Sequence, residues 1–479
     1  MDSKNFFQLN AVLLVLATLS ACAVGPDYVR PVTISTADMP TKFKESWKQA
    51  EPQDQAIPVK WWSVFNDPAL DVLITQVATS NLTLAQAEAS YRQSTSLLEN
   101  AQSAYLPTLT ANVSSSRAHA ASSLPGSITT TKAVSIGTSW EVDLWGGIRR
   151  EIESIENTAL SGYANLQAVR LSMQAQLAQN YFQLRVLDAQ IELYKHTIED
   201  YQRSLSMTQN QYAAGIVASD SVILAETQLK STEAQALDLG ILRAQMEHAI
   251  AVLIGKAPSN FTIAAIPLTL NTALPQVPLL PQGLPSALLE RRADIASAER
   301  TVAAANAQIG VTKAAFFPTL SLNASGGYQS TLGNWLSLPN RIWSVGPSLA
   351  VSLFDGGARR ALNAQAIAAY DGTVASYRQT VLTGFQEVED NLVALRILQN
   401  EATVQHQAVI ASRKSVEVTL NQYKAGIVNY QNVISVQTTA LTNERAELDI
   451  INRRLAASVL LIKALGGGWN GQLSDEKKS

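Results

Sequence analysis

The fold of this chain is decided by a motif that occurs twice, as Asn210-Gln211-Tyr212-Ala213-Ala214-Gly215-Ile216-Val217 and as Asn421-Gln422-Tyr423-Lys424-Ala425-Gly426-Ile427-Val428. The two copies lie 211 residues apart. The same offset relates Ala104-Tyr105-Leu106-Pro107-Thr108-Leu109 to Ala315-Phe316-Phe317-Pro318-Thr319-Leu320. Chance does not hold one register over so long a distance, so the chain is a tandem structural repeat.

Each copy of the motif has the features of a turn between two helices. Gly215 and Gly426 can adopt the left-handed conformation that ends a helix. Ser219 or Asp220 in the first copy, and Asn429 in the second, offer side-chain oxygens that start the returning helix. A turn accounts for the glycines and the caps, but not for the other residues that recur around them. We therefore also predict a partner-docking surface, made of Tyr212, Ala214, Gly215, Ile216, Val217, Tyr423, Ala425, Gly426, Ile427 and Val428.

The placement of proline predicts long helices beside these turns. Of the 17 prolines, none lies within 126–257 or 348–479, and proline breaks helix interiors. Helix-favouring residues run over 148–207 and again over 358–420, about 60 residues or about 90 Å each. Alanine and glutamine recur there, without the clean heptads and charged flanks of an ordinary coiled coil. This composition favours a hollow helical barrel that is wet inside.

Two strands are predicted before the long helix of each copy, after a helix over 70–104 or 286–315. Apolar and polar or small residues alternate over 133–144 and 343–353. Weaker alternation precedes both segments, with the apolar residues Leu109, Ala111, Val113, Leu320, Leu322 and Ala324. A tilted strand of about ten residues crosses an outer membrane. A soluble, half-buried sheet would show the same alternation, so the pattern alone leaves both interpretations open.

Four strands cannot close a barrel by themselves. In lipid, an open sheet edge leaves backbone groups without hydrogen bonds, so a membrane-spanning sheet of this kind requires several copies of the chain. Two copies would give eight strands with a filled interior, and three would give twelve with room for a channel. A transport role favours three.

The N-terminus has the form of a secretory signal followed by a lipid-attachment site. Lys4 precedes an apolar run over 11–19 that is too short to span a bilayer. The run ends in Leu19-Ser20-Ala21-Cys22, which resembles a bacterial lipobox. Removal of residues 1–21 would make Cys22 the first residue and the carrier of an acyl anchor. A lone cysteine can instead be a small buried apolar residue.

Composition and charge exclude several other classes of protein. Hydrophobic residues make up 47% and charged residues 16%, which rules out a disordered chain. The 36 basic and 39 acidic residues leave a net charge of −3, so no nucleic-acid partner is expected. One cysteine and four histidines leave no material for a disulfide or a metal site. Catalytic motifs are also missing, so we expect no enzyme and no cofactor other than the lipid on Cys22.

These features divide the chain into six parts. They are a signal peptide over 1–21, an N-terminal periplasmic arm over 22–69, a first repeat over 70–257, a proline-rich linker over 258–285, a second repeat over 286–466 and a C-terminal tail over 467–479.

Several segments together resemble one family, the outer-membrane factors, and within it the lipoprotein, NodT-type branch of the TolC-like channel subunits of tripartite efflux pumps. The resemblance covers nearly the whole chain and includes both turn motifs. It also rests on Cys22-Ala23-Val24-Gly25-Pro26-Asp27-Tyr28, Trp61-Trp62, Phe65-Asn66-Asp67-Pro68, Leu284-Pro285-Ser286, Leu288-Leu289-Glu290-Arg291-Arg292, Asp294-Ile295 and Ala298-Glu299.

The resemblance implies a mixed α and β membrane protein that forms a homotrimer. It implies a twelve-stranded outer-membrane β-barrel, with four strands from each chain, continuous with a long periplasmic α-helical barrel. The function implied is a passive exit channel for substrates delivered by a periplasmic adaptor and an inner-membrane pump of the resistance-nodulation-division type. The protein would be anchored in outer-membrane lipid through a palmitate-bearing Cys22. A type I protein-secretion duct is an alternative, and so is a structural periplasmic coiled-coil lipoprotein.

The resemblance also implies a constriction at the periplasmic end of the pore. Relatives often place aspartates in the helix that follows the second turn, where this chain has Asn432 and Ser435. Asp220, near the first turn, could supply a ring of charge instead, or could simply cap its helix. Tyr423 matches the family position whose hydroxyl helps to hold the turn helices shut. The predicted constriction therefore consists of Asp220, Tyr423, Asn432 and Ser435.

Overall fold

The computed structural model describes residues 24–32, 60–119, 128–266, 291–331 and 336–469. Within them, both copies contain a helix, two strands, a long helix and a shorter helix in this order, and in the first copy a further helix precedes them. The elements are α1 (Pro68–Ser80), α2 (Leu82–Gln102), β1 (Thr108–His119), β2 (Ile128–Val142), α3 (Gly147–Ala213), α4 (Ser219–Leu253), α5 (Ala293–Ala314), β3 (Thr319–Ser330), β4 (Arg341–Ala350), α6 (Ala358–Lys424) and α7 (Tyr430–Ala464).

The chain divides into two compact units. The first, here called the sheet unit, takes its described residues from Met1–Thr33, Ser90–Tyr163 and Ser297–Gln379. The second, here called the helical unit, takes them from Ile34–Ala89, Ala164–Ala296 and Thr380–Ser479. No helix in the described ranges is both long enough and apolar enough to cross a membrane.

The sheet unit contains one antiparallel sheet in the order β1-β2-β3-β4. Its register places apolar residues opposite each other, as in the pairs Val113↔Val134, Trp140↔Leu322 and Ala324↔Val345. Because side chains alternate along a strand, one face is apolar and the other carries serine, threonine, asparagine and glycine. The four predicted strands are confirmed.

The apolar face of the sheet lies open. Val113 is 73% exposed and Val345 is 71% exposed, and every residue of β1 is exposed. A sheet half-buried on its own core would cover this face, and the described part of the chain does not. Near one end of the sheet, the indole of Trp145 has local partners. Its Nε1 donates a hydrogen bond to the Pro318 carbonyl at 2.7 Å, and its ring stacks on the Phe317 ring at a centroid distance of 4.8 Å.

The duplication is exact in the lengths of the long helices and of the returning helices. The long helices α3 and α6 have 67 residues each, and the returning helices α4 and α7 have 35 each. The two long helices predicted from the proline-free stretches are confirmed, and each is slightly longer than predicted because it continues to the glycine turn.

The single helix predicted over 70–104 is wrong. The chain leaves the helical conformation at Asn81, where φ is −73° and ψ is 122°. The Asn81 side chain accepts from the Leu84 N–H at 2.8 Å and donates to the Leu253 carbonyl at 2.8 Å. Two helices, α1 and α2, therefore replace one, because an asparagine side chain bonds to the backbone in place of helical partners. In the second copy, 286–290 lies outside the described residues.

The core of the helical unit gathers α1, α3, α4 and α7 around the short turn Trp61–Phe65. Trp61 is 1% exposed and its Nε1 donates to Gln174, while the rings of Phe65 and Phe182 lie 4.8 Å apart. Fully buried aromatic and aliphatic side chains of this kind dominate packing energy. The Trp61-Trp62 segment of the family resemblance is thus a core element.

Asp67 ties this core to α1. Its side chain caps the helix by accepting from the Ala69 and Leu70 N–H groups, and it accepts from the Tyr181 hydroxyl at 2.7 Å. Burial and the Asp67 bond raise the pKa of Tyr181 to about 12, although Arg185 opposes the shift.

Candidate functional site

Both helix tips close with the same backbone geometry. Gly215 and Gly426 have φ values of 72° and 74°, in the left-handed region. In each tip, the glycine N–H bonds to the tyrosine carbonyl and the next isoleucine N–H bonds to the glutamine carbonyl, at 2.9 or 3.0 Å. These bonds satisfy carbonyls that a helix end would otherwise leave open. The predicted glycine turns are confirmed.

The caps of the returning helices differ between the tips. Asn429 caps α7 by accepting from the Asn432 N–H at 3.2 Å, as predicted. The prediction that Ser219 or Asp220 caps α4 is wrong, because Ala218 holds the cap position and makes no side-chain bond there. Asp220 lies within the first turn, and its carboxylate accepts from the next N–H at 2.7 Å. A carboxylate there is stabilised by the helix dipole.

The two motif tyrosines occupy different environments. Tyr423 is 3% exposed and packs with Ala225, Tyr430 and Val433. Its ring lies 5.3 Å from the Tyr430 ring, and its hydroxyl lies 3.3 Å from Thr208 Oγ1. Burial, together with the neighbouring Tyr423, raises the pKa of Tyr430 to about 12. These contacts join α3, α4, α6 and α7 immediately behind the second tip.

The remaining predicted residues lie mostly at the surface. Tyr212 is 51% exposed, and Ile216 and Ile427 are 68% and 72% exposed. The alanines and glycines of the tips are also exposed, namely Ala214, Gly215, Ala425 and Gly426. The two tip valines, Val217 and Val428, are half-buried. Of the predicted constriction, the exposed members are Asp220, Asn432 and Ser435, whereas Tyr423 is buried.

Sequence reasoning missed a cleft that lies behind the tips, between α3, α6 and α7. It has a volume of about 470 Å³ and is lined by polar, charged and apolar side chains of all three helices. Arg413 pairs with Glu444 across it, and Gln437 donates to Ser204 at 3.4 Å. The Tyr201 hydroxyl is buried without a hydrogen-bond partner among the described residues. Scattered polar residues on three helices give no sequence signal, because their approach depends on packing.

The predicted lipid-attachment residue, Cys22, lies outside the described residues. The segment that follows it, 24–32, is held closely against the sheet unit. The Val24 N–H donates to the Trp145 carbonyl at 3.0 Å, directly after β2. Gly25 has a φ of 114°, and a Cβ there would lie 2.6 Å from the Gly310 Cα, so only glycine fits.

Charged groups extend this attachment of segment 24–32. Asp27 pairs with Arg150 at 2.7 Å, and Arg30 pairs with Glu299 at 2.8 Å. Tyr28 also donates to Glu299, and burial together with the charge of Glu299 raises the pKa of Tyr28. The Gly-Pro-Asp-Tyr run of the family resemblance therefore lies in a segment whose contacts hold it within the sheet unit.

The prediction that the chain has no metal site concerns clusters of possible metal ligands. No group of three or more histidine, cysteine, aspartate or glutamate residues in it is arranged to hold a metal ion.

The sequence model of the outer membrane efflux proteins matches residues 73–256 and 284–467. The toluene efflux pump outer membrane protein TtgI of Pseudomonas putida is 30% identical to this chain over 468 residues, covering 96% of this chain and 98% of TtgI. Outer membrane protein OprJ of Pseudomonas aeruginosa is 28% identical over 478 residues, covering 98% and 97%.

Two solved structures of outer-membrane channels are also similar to this chain over nearly its whole length. The outer-membrane channel OprN matches with a TM-score of 0.86 and 29% identity, over 94% of this chain and all 100% of OprN. The open state of the MtrE outer membrane channel of Neisseria gonorrhoeae matches with a TM-score of 0.82 and 26% identity, over 95% of this chain and 100% of MtrE.

These likenesses extend along both repeats and include the sheet and the long helices. They place the protein in the outer membrane, as an efflux channel, and in a transport family rather than an enzyme family. The chain belongs to the outer membrane efflux protein family.

Proposed function

We propose that this protein is the passive exit channel of a tripartite efflux system, and that it performs no bond chemistry. The observation that carries the proposal is the sheet, whose apolar face is uncovered while its opposite face is polar. A sheet with this division suits lipid on one side and a water-filled lumen on the other.

The assembly we propose is a homotrimer with a twelve-stranded barrel and a periplasmic helical barrel. Four strands in the order β1 to β4 leave the outer edges of β1 and β4 to be paired by other copies. Uncovered apolar side chains also run along helices of the helical unit, and packing between copies would bury them. They are Ile223, Leu237 and Ile241 on α4, and Ile397, Val404 and Val418 on α6.

The adaptor would dock on the exposed side chains of the two tips, chiefly Tyr212, Ile216 and Ile427. Asp220, Asn432 and Ser435 would line the constriction, with Tyr423 holding it closed from behind. Relatives are named for toluene, solvents and antibiotics, which supports export of small molecules over protein secretion. Their naming as parts of efflux pumps supports a pump as the source of energy, and we propose that it is of the resistance-nodulation-division type.

The lipid anchor on Cys22, including a palmitate, remains part of the proposal. Position 22 lies two residue steps before Val24, a span of at most about 7 Å. Because Val24 is bonded to Trp145 at the end of β2, an acyl chain at position 22 would start beside the sheet. Mass spectrometry of the mature protein tests this directly, and an unmodified residue 22 would exclude the anchor.

The six-part division of the chain also stays our proposal. The family matches end at residue 256 and resume at 284, which supports a linker between two repeats. The described part of this linker is the turn Pro258–Asn260 followed by residues 261–266, which form no helix or strand.

The test of the channel is electrical. Purified full-length protein in planar bilayers should give ion current in uniform steps, and its mass in detergent should be three times that of the monomer. A trimer that gives no current would favour a structural coiled-coil lipoprotein, and would overturn the proposal.

A further inference from the structure

The charged residues of the sheet are divided between its two faces by sign. Lysine, arginine, aspartate and glutamate occur four times in the strands, as Arg117 on β1, Lys132 and Glu141 on β2, and Arg341 on β4. Residues an even number apart along a strand share a face. Lys132, for example, is two residues from Val134. By this rule and the register, all three cations lie on the apolar face, and Glu141 lies on the polar face.

The three cations also lie toward the same end of the sheet. β2 leads into α3 after Val142, and β4 leads into α6 after Ala350. Arg117, Lys132 and Arg341 lie toward the opposite ends of their strands, and all three are exposed. The strand connections at that end, 120–127 and 331–340, contain no charged residue in their sequence. The strands and connections therefore place positive charge alone at the end remote from the helices.

Their position along the strands corresponds to the edge of a membrane. Lys132 lies ten residues before Val142, the last residue of β2. Ten residues of strand span about 33 Å, and a tilt of about 40° reduces the height to about 25 Å. An outer-membrane barrel has an apolar band of that height. In the assembly proposed above, on which this inference rests, the helices are periplasmic, so the cations lie at the outer leaflet.

The polar face would hold cations at this level without any contact to lipid. It has the uncharged pair Ser116 and Thr131 there instead. A lysine or arginine on the lipid face gains nothing from hydrocarbon, and its long side chain extends toward the head groups. The concentration of positive charge on the lipid side, without an acid in the strands of that side, indicates an anionic group among those head groups.

A hollow in the apolar face lies beside Arg341. It has a volume of about 610 Å³, and its lining includes Ile136, Tyr328, Arg341 and Trp343. Gly326 lies between Ile136 and Trp343 in the register, and a Cβ there would meet nothing within 4 Å. The missing side chain leaves the hollow open. An apolar hollow next to a cation suits an acyl chain below an anionic head group.

The spacing of the cations requires more than one phosphate. Arg117 is two residues beyond the partner of Lys132 on the adjacent strand, which separates their Cα atoms by about 8 Å. Arg341 is two strands away from Lys132 and two residues nearer the helices, a separation of about 12 Å. Two cations about 8 Å apart can bind one phosphate with their long side chains, but the third needs another.

We propose that this face binds a glycolipid of the outer leaflet that carries two phosphates and several acyl chains, as lipid A does. Arg117 and Lys132 bind one phosphate and Arg341 binds the other, while an acyl chain occupies the hollow at Gly326. A phospholipid, with a single phosphate, engages only part of this row of cations.

The test measures lipid binding to the full-length protein in detergent by native mass spectrometry. The probes are lipid A with both phosphates, phosphatidylglycerol and phosphatidylethanolamine. Lipid A should bind most tightly. R117Q/K132Q/R341Q should weaken its binding about 100-fold, because each cation near an anionic lipid surface accounts for about fivefold. Gly326→Leu fills the hollow and should weaken it about fivefold.

Matched controls exist for both variants. K195Q/K230Q/K414Q removes the same charge from exposed positions of the helical unit, and should leave the affinity for lipid A unchanged. Gly346→Leu lies on the polar face of β4, where a Cβ also meets nothing within 4 Å, and should likewise have no effect.

Three results would overturn the proposal. They are an unchanged affinity in R117Q/K132Q/R341Q, an equal loss in K195Q/K230Q/K414Q, and equal binding of phosphatidylglycerol and lipid A by the native protein. Current in planar bilayers separates this inference from the proposed function. A protein that conducts but shows no preference for lipid A would lose only the lipid site. The sheet variant should conduct in steps of the native size, because its three changes lie outside the lumen.

Discussion

At the scale of single residues, the two repeats put the same amino acid to different use. Tyr212 and Tyr423 share their neighbours in sequence and the geometry of their turns, yet one is 51% and the other 3% exposed. Tyr430, which packs on the second tyrosine, has Ser219 as its repeat counterpart. The second tip therefore has an aromatic pair that the first tip lacks, which makes Tyr423 a packing residue of the tip.

The exposure of these tyrosines predicts unequal effects of truncation. Tyr423→Ala removes a buried ring and should lower the free energy of unfolding by about 3 to 5 kcal/mol. Tyr212→Ala, the matched control, should change it by about 0.5 kcal/mol or less. Thermal unfolding gives both values, and hydrogen exchange of residues 420–435 should rise only in Tyr423→Ala. Equal losses would contradict the assignment of Tyr423 to the tip core.

At the scale of elements, helix ends depend on what lies next to them. Gly426 and Gly466 both end helices with positive φ values. A Cβ at Gly426 would meet nothing within 4 Å, whereas a Cβ at Gly466 would lie 2.2 Å from the Arg291 carbonyl oxygen. Gly426 is needed only for its backbone conformation. Gly466 is needed for the same reason and also because two chain segments approach each other closely there.

Alanine substitutions separate these two requirements. Gly426→Ala should cost about 1 to 2 kcal/mol, the strain of a left-handed residue with a side chain. Gly466→Ala carries the same strain and must also displace backbone, which adds about 1 to 3 kcal/mol. Denaturant midpoints of the two variants measure the difference. If Gly466→Ala were no less stable than Gly426→Ala, the close contact with Arg291 would be disproved.

At the scale of the whole molecule, a single chain leaves the apolar face of its sheet uncovered. The charged fraction of 16% fits a protein that turns one sheet face to lipid and wets the other with serine, threonine and asparagine. In the trimer that we propose, lipid would cover the apolar face of the sheet and other copies would pair its open edges.

Adjacent positions of β4 test which face meets lipid. Val345→Lys places a charge on the apolar face and should cost about 2 to 4 kcal/mol per chain near the middle of the membrane. Ser344→Lys places the same charge on the opposite face, beside Ser325, and should be tolerated. The assay is the fraction of protein assembled in outer-membrane preparations. Equal assembly of the two variants would refute a lipid-facing apolar side.

Local patterns predicted the elements of this fold well, and failed where a side chain interrupts them. The alternation over 133–144 and the proline-free stretch after it correspond to β2 and α3. Asn81 broke a helix that composition alone would continue, because its side chain bonds to Leu253, distant in sequence. Ala218 took the cap that Ser219 was expected to fill, because the helix already starts at Ser219.

What the sequence by itself determined is the duplication, the two strands and two long helices of each copy, and the glycine turns at Gly215 and Gly426. These depend on residue spacing, proline exclusion and glycine φ, which act between near neighbours. Only the tertiary structure decided that Tyr423 is buried while Tyr212 is exposed, and that Arg454 donates to Gln399 where its counterpart Arg243 donates to Asp188. Burial and charge pairing depend on which helices approach, and that approach brings together residues hundreds of positions apart.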